Sequence, residues 1–593
     1  MSFSLTSKRG LAALAAAGLA SVALPAMPAM AQKVKNKTPA VAAPAVDYMV
    51  SIPSIDAVGS TIDDATLSDI LSGNLASHAD ALAALDATSI TVPEITVTLD
   101  IVVDGDRERG VLTFTNLVLE DVVDGVAASV RLDGSSFETP DGNAQIGTMT
   151  AADFNIAGVL GIYGLVPGQS REMQTLYTDF LLEGGTFEAE EIACSFGATS
   201  GAEVRGRPLD TSFAEIMRIA QELENNPSDP DPALIGQVMR MYADLLTAFE
   251  SSEFLFEGLD CAGGTGDDDW VSFSIAAMTM GPMSPGVYPA FSINGFELTA
   301  EDGNMSLDNF TLKQMDLSGI IELLSSPPDR VDEAWFEANA RFLVPAFEGL
   351  SFTGFSMDIP DTDNTGERIV ADVAEFELTL ANYINGIPSA LDTWARGIVV
   401  DLPEESGDEQ IEQLIALGVT SIDAGFRIAG SWNEDSDSID IEEISLSGVD
   451  LATVALSGTL ANATEALFSL DTDEALMAGM GIALKALSVD VTDAGLTDIV
   501  LAAVAAEQNA DPATLRPVFA GLAEGTVLGM MAGAADAAKL GSALNAFVSG
   551  TAKSLNISIE AKADPGLSLE DFIAAEQDPT TLLGKVNIDA AAK

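Results

Sequence analysis

The chain has 593 residues, 47% of them hydrophobic, with 26 Lys and Arg against 91 Asp and Glu and a formal net charge of −65. That length predicts about four domain-sized units, or fewer and larger ones in a β-rich chain, and the apolar content excludes a wholly disordered protein. The charge repels phosphate backbones, which excludes nucleic acid as a partner, and it disfavours anionic lipid.

In chain order, residues 1–31 read as a secretory signal peptide. Lys8 and Arg9 form the charged start, Leu11–Leu24 the apolar run, and Ala29-Met30-Ala31 the cleavage site. Residues 32–50 read as a Pro/Ala/Lys tether. Export to the periplasm or the cell exterior is therefore expected. No later stretch reads as a transmembrane span, since the most apolar run, Gly521–Val548, carries Glu524, Asp536 and Lys539.

The segment 51–200 is expected to open with a helix over Thr66–Leu85, because Leu67, Ile70, Leu71, Leu75, Ala79 and Leu82 recur at helical spacing. The single histidine, His78, lies there; alone it offers neither a metal cluster nor a Ser-His-Asp triad. From Ile90 the period switches to two. Asp-Gly pairs at 104–105, 124–125, 133–134 and 141–142 mark hairpin turns. A helix is expected over Glu172–Leu182, then a strand reaching Cys194.

In segment 201–330, Ser212 and Glu215 form a capping box for a helix to Leu223. Asp231 and Pro232 open a second helix. Strands follow at Glu253–Cys261, Trp270–Met280 and Ala290–Ala300. The only two cysteines, Cys194 and Cys261, each close a strand-like stretch, which in an exported chain predicts one disulfide.

Three stretches share a pattern: Met149–Leu160, Phe310–Ile321 and Ile444–Thr453. Asp141, Asn155 and Gly158 align without a gap with Asp302, Asp316 and Gly319. The pattern reads as the strand-to-helix joint of a duplicated unit, with Met315 and Leu317 facing a helix. The exchange of Asp316 for Asn155 argues against a catalytic carboxylate.

In segment 331–470 the pattern predicts a helix over Val331–Phe347, a hairpin of Leu350–Ile359 with Val370–Leu380, and a helical stretch through Trp394. A helix over Glu409–Leu417 and a hairpin of Ser421–Trp432 with Ser438–Leu446 follow. Asp361-x-Asp363-x-Thr365-Gly366, with Asp372 at the twelfth position, imitates an EF-hand loop. Asp361, Asp363 and Asp372 are thus weak calcium candidates. The threonine and the flanking strands favour a plain hairpin turn, as in the acidic stretch 433–440. Segment 471–593 reads as an Ala-rich helical hairpin on a small sheet, with strands at Leu555–Lys562 and Val586–Ala590 and a helix from Ser568.

No G-x-S-x-G elbow, P-loop or dinucleotide fingerprint occurs. Aromatic residues make up 6% of the chain, thin for a glycosidase cleft. Aromatic girdles are missing and helices interrupt the strands, which argues against an outer-membrane barrel. The Ala-rich signal, the repeated hairpin–helix units and the closing strands resemble exported proteins of Alphaproteobacteria without an assigned role. That resemblance implies no activity. The expected fold class is α+β: tandem antiparallel sheet units, each covered by helices, or one elongated curved sheet. A curved sheet with an inserted helix leaves an apolar trough. The expected function is a non-enzymatic exported protein that binds an apolar, lipid-like ligand or supports the envelope. A secreted acidic repeat protein for surface interaction is the alternative, and a hydrolase comes third.

Overall fold

The computed structural model describes residues 47–593 except 104–105, 168–170, 190, 226–229, 265–269, 362–367, 404–408, 509, 532–533, 535 and 579. The expected signal peptide, residues 32–46 of the expected tether and the Asp104-Gly105 turn lie outside the described residues. The chain forms two compact units: residues up to 301 with 315–343, and residues 302–314 with 344–593.

The fold is mostly β with helices added, an α+β fold. The strands of the first unit are β1 (Asp47–Ser51), β2 (Asp56–Val58), β3 (Ala87–Val103), β4 (Asp106–Val123), β5 (Val126–Thr139), β6 (Gly142–Ile146), β7 (Met149–Asn155), β8 (Gln174–Leu182), β9 (Gly185–Ala189), β10 (Ile192–Phe196), β11 (Thr199–Gly206), β12 (Phe249–Ser251), β13 (Phe254–Gly263), β14 (Val271–Met280), β15 (Val287–Tyr288) and β16 (Phe291–Ala300). β17 (Gly303–Leu312) belongs to the second unit and β18 (Met315–Asp316) to the first. The second unit continues with β19 (Ala346–Phe347), β20 (Gly349–Pro360), β21 (Arg368–Ile384), β22 (Ile387–Asp401), β23 (Ser421–Asn433), β24 (Ser438–Gly448), β25 (Ala452–Ala461), β26 (Ala483–Asp493), β27 (Ser554–Ala561) and β28 (Val586–Ala592).

In the first unit, β5 pairs with β6 at one end and with β7 at the other, and β13 likewise pairs with β10 and with β11. The strands between them are each broken once, at Gly147, Gly184 and Gly197, so the sheet is creased along a line of glycines. A Cβ at Gly197 would sit 1.9 Å from the Glu257 carbonyl oxygen, so no other residue fits there. The core inside the crease is Leu176, Phe180, Leu182, Val204, Phe254 and Met280. A second core joins Leu67 and Leu85 to Ile90, Val92, Leu119 and Val122 on β3 and β4.

The helices are, in the first unit, α1 (Asp64–Asp69), α2 (Ala79–Ala83), α3 (Ile156–Ile162), α4 (Phe213–Asn225), α5 (Pro232–Leu246), α6 (Ser318–Ser325) and α7 (Glu333–Asn339). In the second they are α8 (Glu409–Ala416), α9 (Thr472–Met480), α10 (Leu496–Gln508), α11 (Pro512–Met530), α12 (Ala537–Val548), α13 (Leu569–Gln577) and α14 (Thr580–Leu583). The caps read from sequence are in place. Asp231 accepts from the Ala233 amide at 2.9 Å, and Ser212 accepts from the Glu215 amide at 3.3 Å. The Glu215 carboxylate turns instead to Arg218, at 2.7 Å.

Several expectations are corrected. The expected helix over Glu172–Leu182 is strand β8: Leu176 and Phe180 satisfy both helical spacing and period two, and pairing with β11 decides for the strand. The expected helix over Thr66–Leu85 breaks at Gly73, whose φ is 141°. The expected Val331–Phe347 helix shrinks to α7. The expected helical stretch through Trp394 is β22. It follows β21 across Asn385-Gly386, whose φ values of 48° and 78° are those of a hairpin turn. Asp133-Gly134 is not a turn but lies inside β5, with Gly134 opposite Thr115. The expected tether is shorter than residues 32–50, because β1 pairs with β3 from Asp47 onward.

The repeated pattern is a strand-to-helix joint in two of its three copies. Asn155 accepts from the Gly158 amide at 2.8 Å to start α3, and Asp316 accepts from the Ser318 amide at 2.8 Å to start α6. Asn155 is the N-cap of α3, whereas Asp316 precedes Leu317, the N-cap of α6, so the aligned positions meet the helix start one residue apart. Met315 is buried and Leu317 half-buried. The third copy, Ile444–Thr453, is corrected: it runs from β24 through a turn into β25 with no helix.

Candidate functional site

Period-two alternation gives the second unit's sheet two unlike faces. The register aligns Phe352, Phe376, Ala395, Phe426, Leu446, Val454, Val491 and Leu555 in one cross-strand row. The next row on the same face is Leu350, Leu378, Thr393, Ile428, Ile444, Leu456, Val489 and Ile557. A further row towards the strand ends is Trp432, Ile439, Leu460 and Leu484. This face is almost wholly apolar.

The opposite face is polar and internally paired. The Lys313 ammonium reaches Glu377 at 2.6 Å and Thr379 at 2.7 Å. The Arg427 guanidinium holds Asp392 in two bonds of 3.1 and 3.0 Å and Glu443 at 3.0 Å. Its Asp392 hydrogen bonds, first, push its pKa up. Asn556 donates to Asp490 at 2.8 Å. These groups satisfy one another and face water.

Phe468 covers Trp432 on this face, ring centroids 5.3 Å apart, and α12 covers the face at the end of the sheet. There α12 lays Leu540, Ala543, Leu544 and Phe547 against Val491, Leu555, Ile557 and Ala590. In the middle of the sheet the same face has exposed side chains: Leu391 is 36% exposed, Ile428 41%, Ile444 43%, Leu446 64% and Val454 44%. These side chains belong to four adjacent strands, β22–β25, which at roughly 4.8 Å per strand span about 15 Å. Large apolar patches left open on a folded chain mark interaction sites. The Leu496 amide donates to the Leu451 carbonyl at 2.9 Å, which starts α10 beside the β24–β25 turn.

Asp493 anchors that start. It is only 8% exposed, and it accepts from the Gly495 amide at 3.3 Å, the Thr497 amide at 3.0 Å and the Lys553 ammonium at 3.4 Å. Burial alone would raise its pKa; the amides of Thr497 and Gly495 outweigh that and hold it below the usual carboxylate range. A depressed folded pKa contributes stability that is present above the unfolded value and lost as pH falls through the folded one. Asp493→Asn is therefore expected to flatten the loss of second-unit melting temperature below about pH 4, relative to the parent chain. Parallel slopes for the two proteins in thermal melts across that range would sink this assignment.

Three hollows of about 510, 480 and 570 Å³ lie in the first unit, the first lined by Leu165, Val166 and Leu209 beside Arg171 and Asp210, the others by polar side chains such as Glu188 and Glu297, and Glu138 and Gln145. None lies on the open apolar face. Among the described residues, the carboxylates whose acidity is displaced, Asp63, Asp133, Asp493, Asp571, Asp578 and Asp589, are all displaced downward.

Of the calcium candidates, Asp363 lies outside the described residues. Asp361 follows the end of β20, while Asp372 is within β21 opposite Ser356. The hairpin pairs as far as Pro360 and Arg368, so Asp372 stands about 13 Å along the strand from its start. Among the described residues no group of three His, Cys, Asp or Glu side chains is placed to hold a metal. His78 is half-buried just before α2. Cys194 and Cys261 face each other across β10 and β13, with their sulfurs bonded at 2.12 Å. The open face, which carries no titratable group in its central rows, escaped sequence reasoning. Its signal was present as alternating Leu, Ile and Val in β22–β25.

Among the described residues no helix is long and apolar enough to cross a membrane. No curated protein and no solved structure matches the chain. A family model described as "Uncharacterized protein" matches residues 445–593, from within β24 to Lys593. The chain is similar to that family over this stretch, which includes α12 and the sheet edge beneath it. The description names neither a source nor a cellular place, so the expected likeness to alphaproteobacterial exported proteins is reduced to likeness to this family.

Proposed function

We propose that the chain is a non-enzymatic exported protein that holds an apolar, lipid-like ligand on the open face of β22–β25. The observation that carries this reading is the contrast within a single row: Leu446 is 64% exposed where Leu555, three strands along, is 4% exposed under α12. Rows that are apolar across β22–β25 except at Thr393 offer an acyl chain dispersion contacts and removal from water. The ligand takes the part that α12 plays at the covered end. The signal-like start of the sequence and the disulfide fit a protein made for an oxidising compartment.

The test uses the full chain purified without detergent. Solvent extracts of the parent protein are expected to contain acyl lipid by mass spectrometry, and the stripped protein to take up a fluorescent fatty acid. Ile428→Asp/Ile444→Asp is expected to weaken uptake about tenfold or more, since two charges side by side in one row must be desolvated by the ligand. A parent protein that carries no lipid and takes up no probe overturns the reading and favours the acidic surface-interaction alternative.

A further inference from the structure

At one end of the second unit's sheet, two short helices present bulky apolar side chains to solvent. On α9, Leu476 is 62% exposed, Met477 70% and Met480 56%; on α13, Leu569 is 53% exposed, Phe572 40% and Ile573 54%. The fold brings the two helices to the same end. α9 stops just before β26, and Leu484 near the start of β26 exchanges two backbone hydrogen bonds of 2.9 Å with Leu567, immediately before α13. Both helices are fixed at their starts. Asp471 accepts from the Asp473 and Glu474 amides at 2.9 and 3.2 Å, and Ser568 with Asp571 forms a capping box. Lys585 adds an ion pair to Asp571.

The charges around this apolar end select its partner. Asp473 and Glu474 flank the exposed face of α9, and Glu570 and Glu576 that of α13, while Lys485 and Lys585 are taken up by Asp564 and Asp571. A second copy would bring the same acidic rim and a net charge of −65 against its twin. An anionic bilayer is repelled for the same reason. A zwitterionic bilayer presents ammonium groups outermost and acyl chains beneath. An acidic rim meets the first while the apolar side chains enter the second.

We propose that this end of the second unit docks onto the surface of a zwitterionic lipid bilayer. Leu484 is also the last member of the row Trp432, Ile439, Leu460 and Leu484 on the apolar face. The docking end thus adjoins that row, whose four side chains are half-buried. Its use as an entry for ligand rests on the function proposed above, whereas the docking itself does not.

Co-sedimentation of the full chain with vesicles tests it at roughly 0.15 M salt. The parent protein is expected to sediment with phosphatidylcholine vesicles and less with phosphatidylglycerol vesicles. Met477→Asp/Phe572→Asp is expected to lower binding to phosphatidylcholine about tenfold or more, with an unchanged circular dichroism spectrum because both side chains are already exposed. Ile428→Asp/Ile444→Asp is expected to keep full vesicle binding, which separates docking from ligand holding. The proposal is overturned by a parent protein that ignores phosphatidylcholine vesicles, by a preference for phosphatidylglycerol, or by a double variant that binds as well as the parent. It is equally overturned if the parent sediments as a dimer that the Met477 and Phe572 substitutions dissociate.

Discussion

Leu555→Ala is expected to destabilise the second unit by about 3 kcal/mol, while Leu446→Ala, in the same cross-strand row, costs under about 0.5 kcal/mol. Both are leucines on the same face of one sheet, so intrinsic strand preference cancels in the comparison. What differs is the cover. Leu555 is 4% exposed and packs with Ala543, Leu544 and Phe547 of α12, so truncation leaves a cavity that the helix cannot close. Leu446 is 64% exposed and loses little but contact with water. Urea unfolding followed through Trp394 and Trp432, the tryptophans of the second unit, measures both. Equal costs would show that the middle of the face is covered in solution and would remove the ground for a ligand there. Adding saturating fatty acid should then raise the cost of Leu446→Ala, because a ligand bound only to the folded state adds its own contribution.

The second large effect concerns the first unit. Cys194 and Cys261 are 67 residues apart in sequence. Closing a loop of that length removes about 4 kcal/mol of denatured-state freedom in the chain-entropy account. Cys194→Ser/Cys261→Ser is therefore expected to lower first-unit stability by about 4 kcal/mol, or about 6 °C in melting temperature for a unit of this size. The second unit should be unaffected. The loop closed by the bond contains α4, α5 and β11, and Phe254, which is wholly buried beside Phe180 at 6.1 Å, lies just inside it. Fluorescence of Trp270 and Trp335 follows the unit. An unchanged midpoint in the double variant would mean that the strand pairing β10–β13 carries the whole constraint and the bond adds nothing.

Much of this fold was legible because local rules act over a few residues. Asp231-Pro232 announced a helix start, and the same pair at Asp511-Pro512 opens α11, where Asp511 accepts from the Ala513 amide at 2.9 Å. Alternation over Ser421–Trp432 and Ser438–Leu446 announced β23 and β24. Failures arose where two periods fit the same residues, as at Leu176 and Phe180, or where a turn cue was passed over. Asn385-Gly386 is such a cue, and reading it would have replaced the helix expected through Trp394 by the hairpin of β21 and β22. The pattern at Ile444–Thr453 failed for a further reason. It shares its strand half with the joints at Asn155 and Asp316, but Gly448 to Leu451 turn back into β25 instead of starting a helix.

The candidate site shows the same division more sharply. Alternation in the chain already sorts each strand into an apolar and a polar side, because side chains two apart on a strand point the same way, and the register then puts Ile428, Leu446 and Val454 on one face with Leu555. The Arg427, Asp392 and Glu443 cluster is settled to the other face by the same rule. Whether a given stretch of the apolar face is buried is not a local property. It depends on where a helix far along the chain comes to rest, and α12, inserted between β26 and β27, reaches only the last strands. Burial is a sum over neighbours that sequence spacing does not specify, so identical alternation yields a core under α12 and an open surface over β22–β25.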